Sequence, residues 1–265
     1  MSNAAGADAS TPLLEARGVR KFYGPVRAID GVDVTIRHGE VVALVGDNGA
    51  GKSTLAKVLC GVHPPDDGEV LVEGEPVTFR SYHDAAALGI AVIYQDLALV
   101  DQRDVATNLF LGREPGTFFV NRRLMRREAA RVIGDLNFNV PSVRTAAGQL
   151  SGGQRQAIAI ARAVHQGGKL MIMDEPVAAL GVEGQRKVLE IIRDLRARGS
   201  SVLVISHNLE HVFQVADRIV VLRRGKVAGV RERAKSTPNE IVGLIVGADA
   251  PLAAAGVAEE APGGD

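Results

Sequence analysis

Apolar residues gather along this chain in two rhythms. Short runs rich in Val, Ile and Leu at 13–19, 32–36, 41–45, 90–94, 169–173, 201–205 and 218–222 read as strands, because such side chains pack well on a pleated surface. Between them, apolar positions recur at helical spacing over 52–60, 81–88, 151–165, 183–198 and 208–215, which predicts helices. Ser81 is placed to cap the second of these, with Asp84 in its first turn. A hairpin is expected around Gly74, joining 69–72 to 76–79, and a turn at Arg223-Arg224-Gly225-Lys226 leads into a last strand. Apolar strands alternating with helices predict an α/β fold with a mostly parallel sheet covered on both faces. Residues 96–149 break the alternation. They are helical in pieces, interrupted by Gly112, Pro115 and Gly116, and read as a helical subdomain inserted between 13–95 and 150–247. Residues 1–12 and 248–265 lack periodicity and read as flexible tails.

Composition narrows the function. The 265 residues are 46% hydrophobic and 23% charged, the profile of an ordinary globular protein, and long enough to bury a core without disulfide or metal staples. Lys+Arg 31 balance Asp+Glu 31, which argues against a surface built throughout for nucleic acid or anionic lipid but leaves room for a local patch. Cys60 is the only cysteine, so an internal disulfide framework and a multi-cysteine metal site are excluded. The first residues lack the positive start and apolar core of a secretory signal. No run of about 18 apolar residues occurs. A membrane role is therefore expected to run through a partner.

Three segments carry chemistry. Gly46-Asp47-Asn48-Gly49-Ala50-Gly51-Lys52-Ser53-Thr54 matches G-x-x-x-x-G-K-[ST] between an apolar strand and a helix. Glycines let backbone N–H groups curl around phosphate oxygens, and the helix start adds a positive dipole end. Lys52 is then expected to bridge β- and γ-phosphates and Ser53 to ligate Mg²⁺. Asp174 and Glu175 end the apolar run 170–173. Phosphoryl transfer needs one carboxylate for the metal, suiting Asp174, and one group to orient or deprotonate the attacking water, suiting Glu175. Finally, Leu150-Ser151-Gly152-Gly153-Gln154 opens a helix with a good N-cap and two glycines, a mouth open to an anion.

With these segments in this order, the chain resembles the ATP-binding subunits of ABC transporters over about 13–247, with residues 150–154 reading as that family's signature sequence. The resemblance implies a P-loop NTPase core with an N-terminal antiparallel β region and the inserted helical subdomain. It implies ATP and Mg²⁺ as ligands, and two cassettes closing face to face on two ATP molecules. Ser151, Gly152, Gly153 and Gln154 would then meet the nucleotide held by the second copy, Ser151 and Gly153 at its γ-phosphate. Gln95 matches a glutamine that senses Mg²⁺ and the attacking water, His207 a histidine that touches the γ-phosphate, and Tyr23 an aromatic that stacks on adenine. Two positions depart from the family: Gly181 stands where Asp is usual, and Val177 where Thr or a small polar residue is usual. Ala178-Ala179-Leu180-Gly181-Val182, with Tyr94-Gln95-Asp96-Leu97 and Ser206-His207-Asn208-Leu209, resembles carbohydrate importers of the ribose, xylose and fructose type. That implies a homodimer on the cytoplasmic face of a membrane, beneath multi-span permease subunits and served indirectly by an extracellular binding protein, with no nucleic acid partner. The stretch 97–113 would supply the groove for the permease.

Overall fold

The computed structural model describes residues 11–94, 96–116, 119–178 and 180–247. Strands β1 (Leu14–Tyr23) and β2 (Val26–Ile36) form a long antiparallel hairpin, followed by β3 (Val41–Val45) and α1 (Lys52–Leu59). A second hairpin, β4 (Asp67–Val72) and β5 (Glu75–Val77), pairs with the first through β1, giving a four-stranded antiparallel sheet in the order β2-β1-β4-β5. Pro76 sits in the edge strand, where its missing N–H breaks no ladder. Next come α2 (Tyr82–Ala87), β6 (Ile90–Ile93), α3 (Val105–Phe110), α4 (Arg122–Asp135) and α5 (Gly152–His165). The chain then alternates through β7 (Leu170–Asp174), α6 (Val182–Ala197), β8 (Ser201–Ile205), α7 (Leu209–Val215) and β9 (Arg218–Arg223), and closes with β10 (Lys226–Glu232) and α8 (Pro238–Val246).

The larger sheet runs β10-β9-β3-β8-β7-β6 and is parallel except where β10 folds back on β9. Side chains on its strands alternate between two cores, as the period of two requires. Leu44, Leu170, Ile172, Leu203 and Ile205 face α1 and the antiparallel sheet. Met171, Met173, Val202 and Val204 face α5 and α6. Burial on both faces is why these strands carry no polar centre. Two features depart from expectation. The first hairpin reaches from Leu14 to Ile36, with register shifts between Ala16 and Val19 that absorb Gly18. Helix α8 was not anticipated, although Thr237 caps it by accepting from the Glu240 N–H, Pro238 opens it and Gly247 closes it in the left-handed region, all signals visible in a sequence.

Candidate functional site

The turn from β3 into α1 is forced by backbone crowding. Gly46 has φ 152°, and a Cβ there would strike the Leu222 carbonyl oxygen. Gly51 has φ 105°, and a Cβ would sit 2.5 Å from the Ala28 carbonyl oxygen. Only glycine meets both demands. At the first position of α1, Lys52 is buried and donates to the Gly46 carbonyl at 2.7 Å and the Asp47 carbonyl at 3.0 Å. Asn48, Gly49, Ala50, Ser53 and Thr54 continue the wall of a cavity of about 510 Å³, which Asp174 and Glu175 complete from the end of β7.

The two carboxylates are held differently. Burial pushes the Asp174 carboxyl above the ordinary carboxylate value, and a hydrogen bond from Ser53 works against that rise. A hydroxyl and a carboxylate together are hard oxygen donors, the set Mg²⁺ takes when phosphates and water fill its remaining positions. Among the described residues no group of three or more His, Cys, Asp or Glu forms a metal site by itself. Glu175 has left-handed backbone, φ 50°, pinned by its N–H donating to the Ile205 carbonyl at 2.9 Å. A non-glycine residue there is strained, a feature that clusters at functional sites. Its Oε1 accepts the His207 N–H at 3.1 Å and lies 2.7 Å from His207 Nδ1. The structure thus brings Lys52, Ser53, Asp174, Glu175 and His207 together.

Ser151, Gly152, Gly153 and Gln154 lie elsewhere. None lines the cavity of its own chain. Ser151 Oγ accepts the Gln154 N–H at 3.4 Å and Gln154 Oε1 accepts the Ser151 N–H at 3.0 Å, a reciprocal cap on α5. A Cβ on Gly152 would lie 2.6 Å from Leu180 Cδ2, the movable end of a flexible side chain, whereas one on Gly153 would lie 3.2 Å from the Gly184 Cα, a backbone contact. Gly153 thus lets the start of α5 abut the start of α6. Gly181 caps α6 without a side-chain hydrogen bond. Tyr23 is 44% exposed at the hairpin tip, edge-on to His63 with ring centres 6.0 Å apart, and does not line the cavity. Gln95 lies outside the described residues.

Two arrangements escaped the sequence. Arg224 lines the cavity from the β9–β10 turn, also with left-handed backbone at φ 49°. The turn is stitched to the loop by the Gly225 N–H donating to the Ala50 carbonyl at 3.0 Å. The turn itself was visible in the sequence; its place beside the loop was not. Farther along α5, Arg162 donates to the Leu97 and Ala98 carbonyls at 2.9 and 3.1 Å, and Arg155 to Asp101 at 2.6 Å. These arginines fasten the segment after β6 to the helix that Ser151 opens.

Comparison with known proteins follows the same outline. A family model described as ABC transporter matches residues 29–178. The xylose/arabinose import ATP-binding protein of Sulfolobus acidocaldarius is 48% identical over 230 residues, 86% of this chain and 92% of that protein. The fructose import ATP-binding protein of Rhizobium meliloti is 44% identical over 252 residues, 92% of this chain and 97% of that protein. The ribose import ATP-binding protein of Chromobacterium violaceum is 44% identical over 232 residues, but the match spans only 46% of its length. Among solved structures, a nucleotide-free ATP-binding cassette from an ABC transporter superposes with TM-score 0.78 at 26% identity, covering 88% of this chain and 98% of that one. A dimeric bacterial ABC transporter cassette shares the fold with TM-score 0.70 at 22% identity, covering 83% and 98%.

Proposed function

The chain belongs to the ABC transporter family, and from that premise we propose that it is the ATPase subunit of a sugar importer, working as a dimer beneath membrane permease subunits. The carrying observation is a division of labour within one chain: the loop, the acidic strand end and His207 share one region, while Ser151 to Gln154 stand apart from it. The resemblance to the family assigns the cover of the γ-phosphate to the α5 start of a second copy, and a segment that stands outside its own chain's cavity is consistent with that. The chain's own residues divide the work. Lys52 leaves the loop carbonyls for the β- and γ-phosphates, where a buried ammonium gains most. Ser53 and Asp174 are the residues that would hold Mg²⁺, which supplies charge neutralisation between the phosphates when bound. Glu175 orients or deprotonates the attacking water, and His207 fixes the Glu175 carboxylate on one side. Gln95 is assigned to the same water and cation, and Tyr23 to adenine. Charge stabilisation and positioning account for most of such a reaction.

For transport, the groove beside α3 is the docking surface assigned to the permease. A cavity of about 510 Å³ lined by Val100, Arg103, Asp104, Thr107, Leu111 and Met125 opens there. Among the described residues no helix is long and apolar enough to cross a membrane, so attachment to a cytoplasmic membrane face is assigned to that contact. A sugar cargo follows the relatives that match over nearly their whole length. The decisive experiment is Glu175→Gln: it is expected to bind ATP, to accumulate as an ATP-bound dimer and to lose turnover by about 10²–10⁴-fold, the usual weight of a general base. Turnover near that of the wild type overturns the role of Glu175. Uptake assays with the membrane subunits, comparing labelled pentose with amino acid, decide the cargo.

A further inference from the structure

Helix α4 opens against an electrostatic rule. Behind the N-cap Asn121 it begins Arg122-Arg123-Leu124-Met125-Arg126-Arg127, with no acidic residue in its first turn. The start of a helix already carries partial positive charge, so cations there are disfavoured. From 103 to 131 the chain holds seven arginines against three carboxylates, although the whole chain is neutral.

The structure sorts these arginines. Met125, Ala129, Val132 and Ile133 form the buried stripe of α4. Arg126 turns back to Asp104 at 3.7 Å, and Arg131 is held by Glu128 at 2.9 Å. Arg127 reaches only its neighbour Glu128, at 3.4 Å, and stays 75% exposed. Arg122 and Arg123 are exposed and make no ion pair among the described residues. Just before them Phe119 is 90% exposed and Val120 53% exposed. An aromatic ring held in water beside unneutralised guanidinium groups is a local conflict that nothing within the described chain relieves.

We propose that this edge, Phe119 with Arg123 and Arg127 of α4, is a membrane-surface contact that takes the anionic headgroups of phospholipids. Guanidinium groups bind phosphate oxygens through paired N–H donors. Basic clusters on a helix draw anionic lipids, and an exposed aromatic enters the interfacial zone. A lipid surface suits the edge better than an acidic protein segment does. Phe119, Arg123 and Arg127 lie outside the groove and Phe119 projects into solvent, whereas the adjoining groove, which Val120 and Arg122 help to line, mixes Arg103 and Arg144 with Asp104 and Glu114. The neutral composition speaks against a lipid-binding surface overall, and the charge is instead concentrated in the first two turns of α4. The contact rests on the membrane location proposed above for its purpose, but the binding itself requires neither nucleotide nor permease.

The test is sedimentation of the full chain with vesicles of equimolar phosphatidylglycerol and phosphatidylcholine, against vesicles of phosphatidylcholine alone. Binding to the anionic vesicles is expected to be at least about tenfold tighter. The preference is expected to vanish in 1 M salt, where the screening length is about 3 Å. The double substitution Arg123→Glu with Arg127→Glu should abolish the preference, Phe119→Ser should weaken it, and Arg123→Gln with Arg127→Gln serves if charge reversal disturbs folding. Equal binding to both vesicles, no binding, or a preference untouched by the substitutions overturns the proposal. So does retention by detergent-purified permease through Arg123 without vesicle binding, which assigns the edge to a protein. ATP hydrolysis in solution, measured on the same samples, reports separately on the ATPase reading.

Discussion

Two glycine-rich turns open helices in this chain, and they solve different problems. The turn before α1 needs glycine at Gly46 and Gly51 because the backbone takes positive φ and lies against carbonyl oxygens of neighbouring strands. It folds a lysine inward and encloses a cavity with two carboxylates. The turn before α5 has ordinary backbone at Gly152 and Gly153, neither of which has positive φ. Gly153 is small so that α6 can come close, and none of the residues Ser151 to Gln154 lines the cavity. One turn is a site within its own chain. The other is a capped edge outside that cavity, the part that the proposed dimer would carry to a second copy's site. A glycine pair before a helix thus says little until one knows whether φ or packing demands it.

The largest effect that separates the two turns comes from Lys52→Ala. Removing a charged hydrogen-bonding partner costs about 1.5–3 kcal/mol, so ATP affinity should fall about 10- to 150-fold. Calorimetric titration of the isolated chain reads this directly. An unchanged dissociation constant would break the first half of the comparison. Ser151→Ala should behave differently. It removes the cap on α5, at a cost of about 0.5–2 kcal/mol of stability, yet ATP affinity of the isolated chain should hold within twofold. Turnover and ATP-driven dimerisation should fall. If Ser151→Ala weakens ATP binding by the single chain as much as Lys52→Ala does, the α5 start belongs to the same-chain site and the division fails.

How much of this was legible depends on the range of the interaction. The phosphate loop is nine consecutive residues between a strand and a helix, so its local grammar locates it completely. Asp174 and Glu175 follow from the apolar run that ends at them. The inserted helices and the mostly parallel sheet follow from periodicity. What escaped depends on neighbours distant in sequence. The demand on Gly153 comes from Gly184, and the place of Arg224 from a hydrogen bond between Gly225 and Ala50. Arg162 looked like one cation among many on a helix. Only the fold places the Leu97 and Ala98 carbonyls at its guanidinium, where burial pulls it below its ordinary pKa. Helix α8 is the exception, since its Thr-Pro start and Gly stop are local signals.

The smallest effect tests the seam between α5 and α6. Gly181 stands in N-cap geometry, φ −66° and ψ 164°, and offers no side chain to the free N–H groups of α6. A Cβ there meets nothing within 4 Å, so Gly181→Asp adds a cap without a clash. Replacing glycine by aspartate at an N-cap is worth a few tenths of a kcal/mol, and an anion near a helix start adds about 0.3–1 kcal/mol. In a chain of this size the melting temperature should rise by about 1–4 °C, since each kcal/mol moves it about 2–4 °C. The gain should shrink with added salt, because the dipole part is screened. ATP affinity of the isolated chain should stay put, as Gly181 does not line the cavity. A fall in melting temperature would mean that the α6 start is already compensated by the abutting α5 turn. The two helix starts would then be one electrostatic unit, and the signature edge could no longer be treated as a self-contained cap.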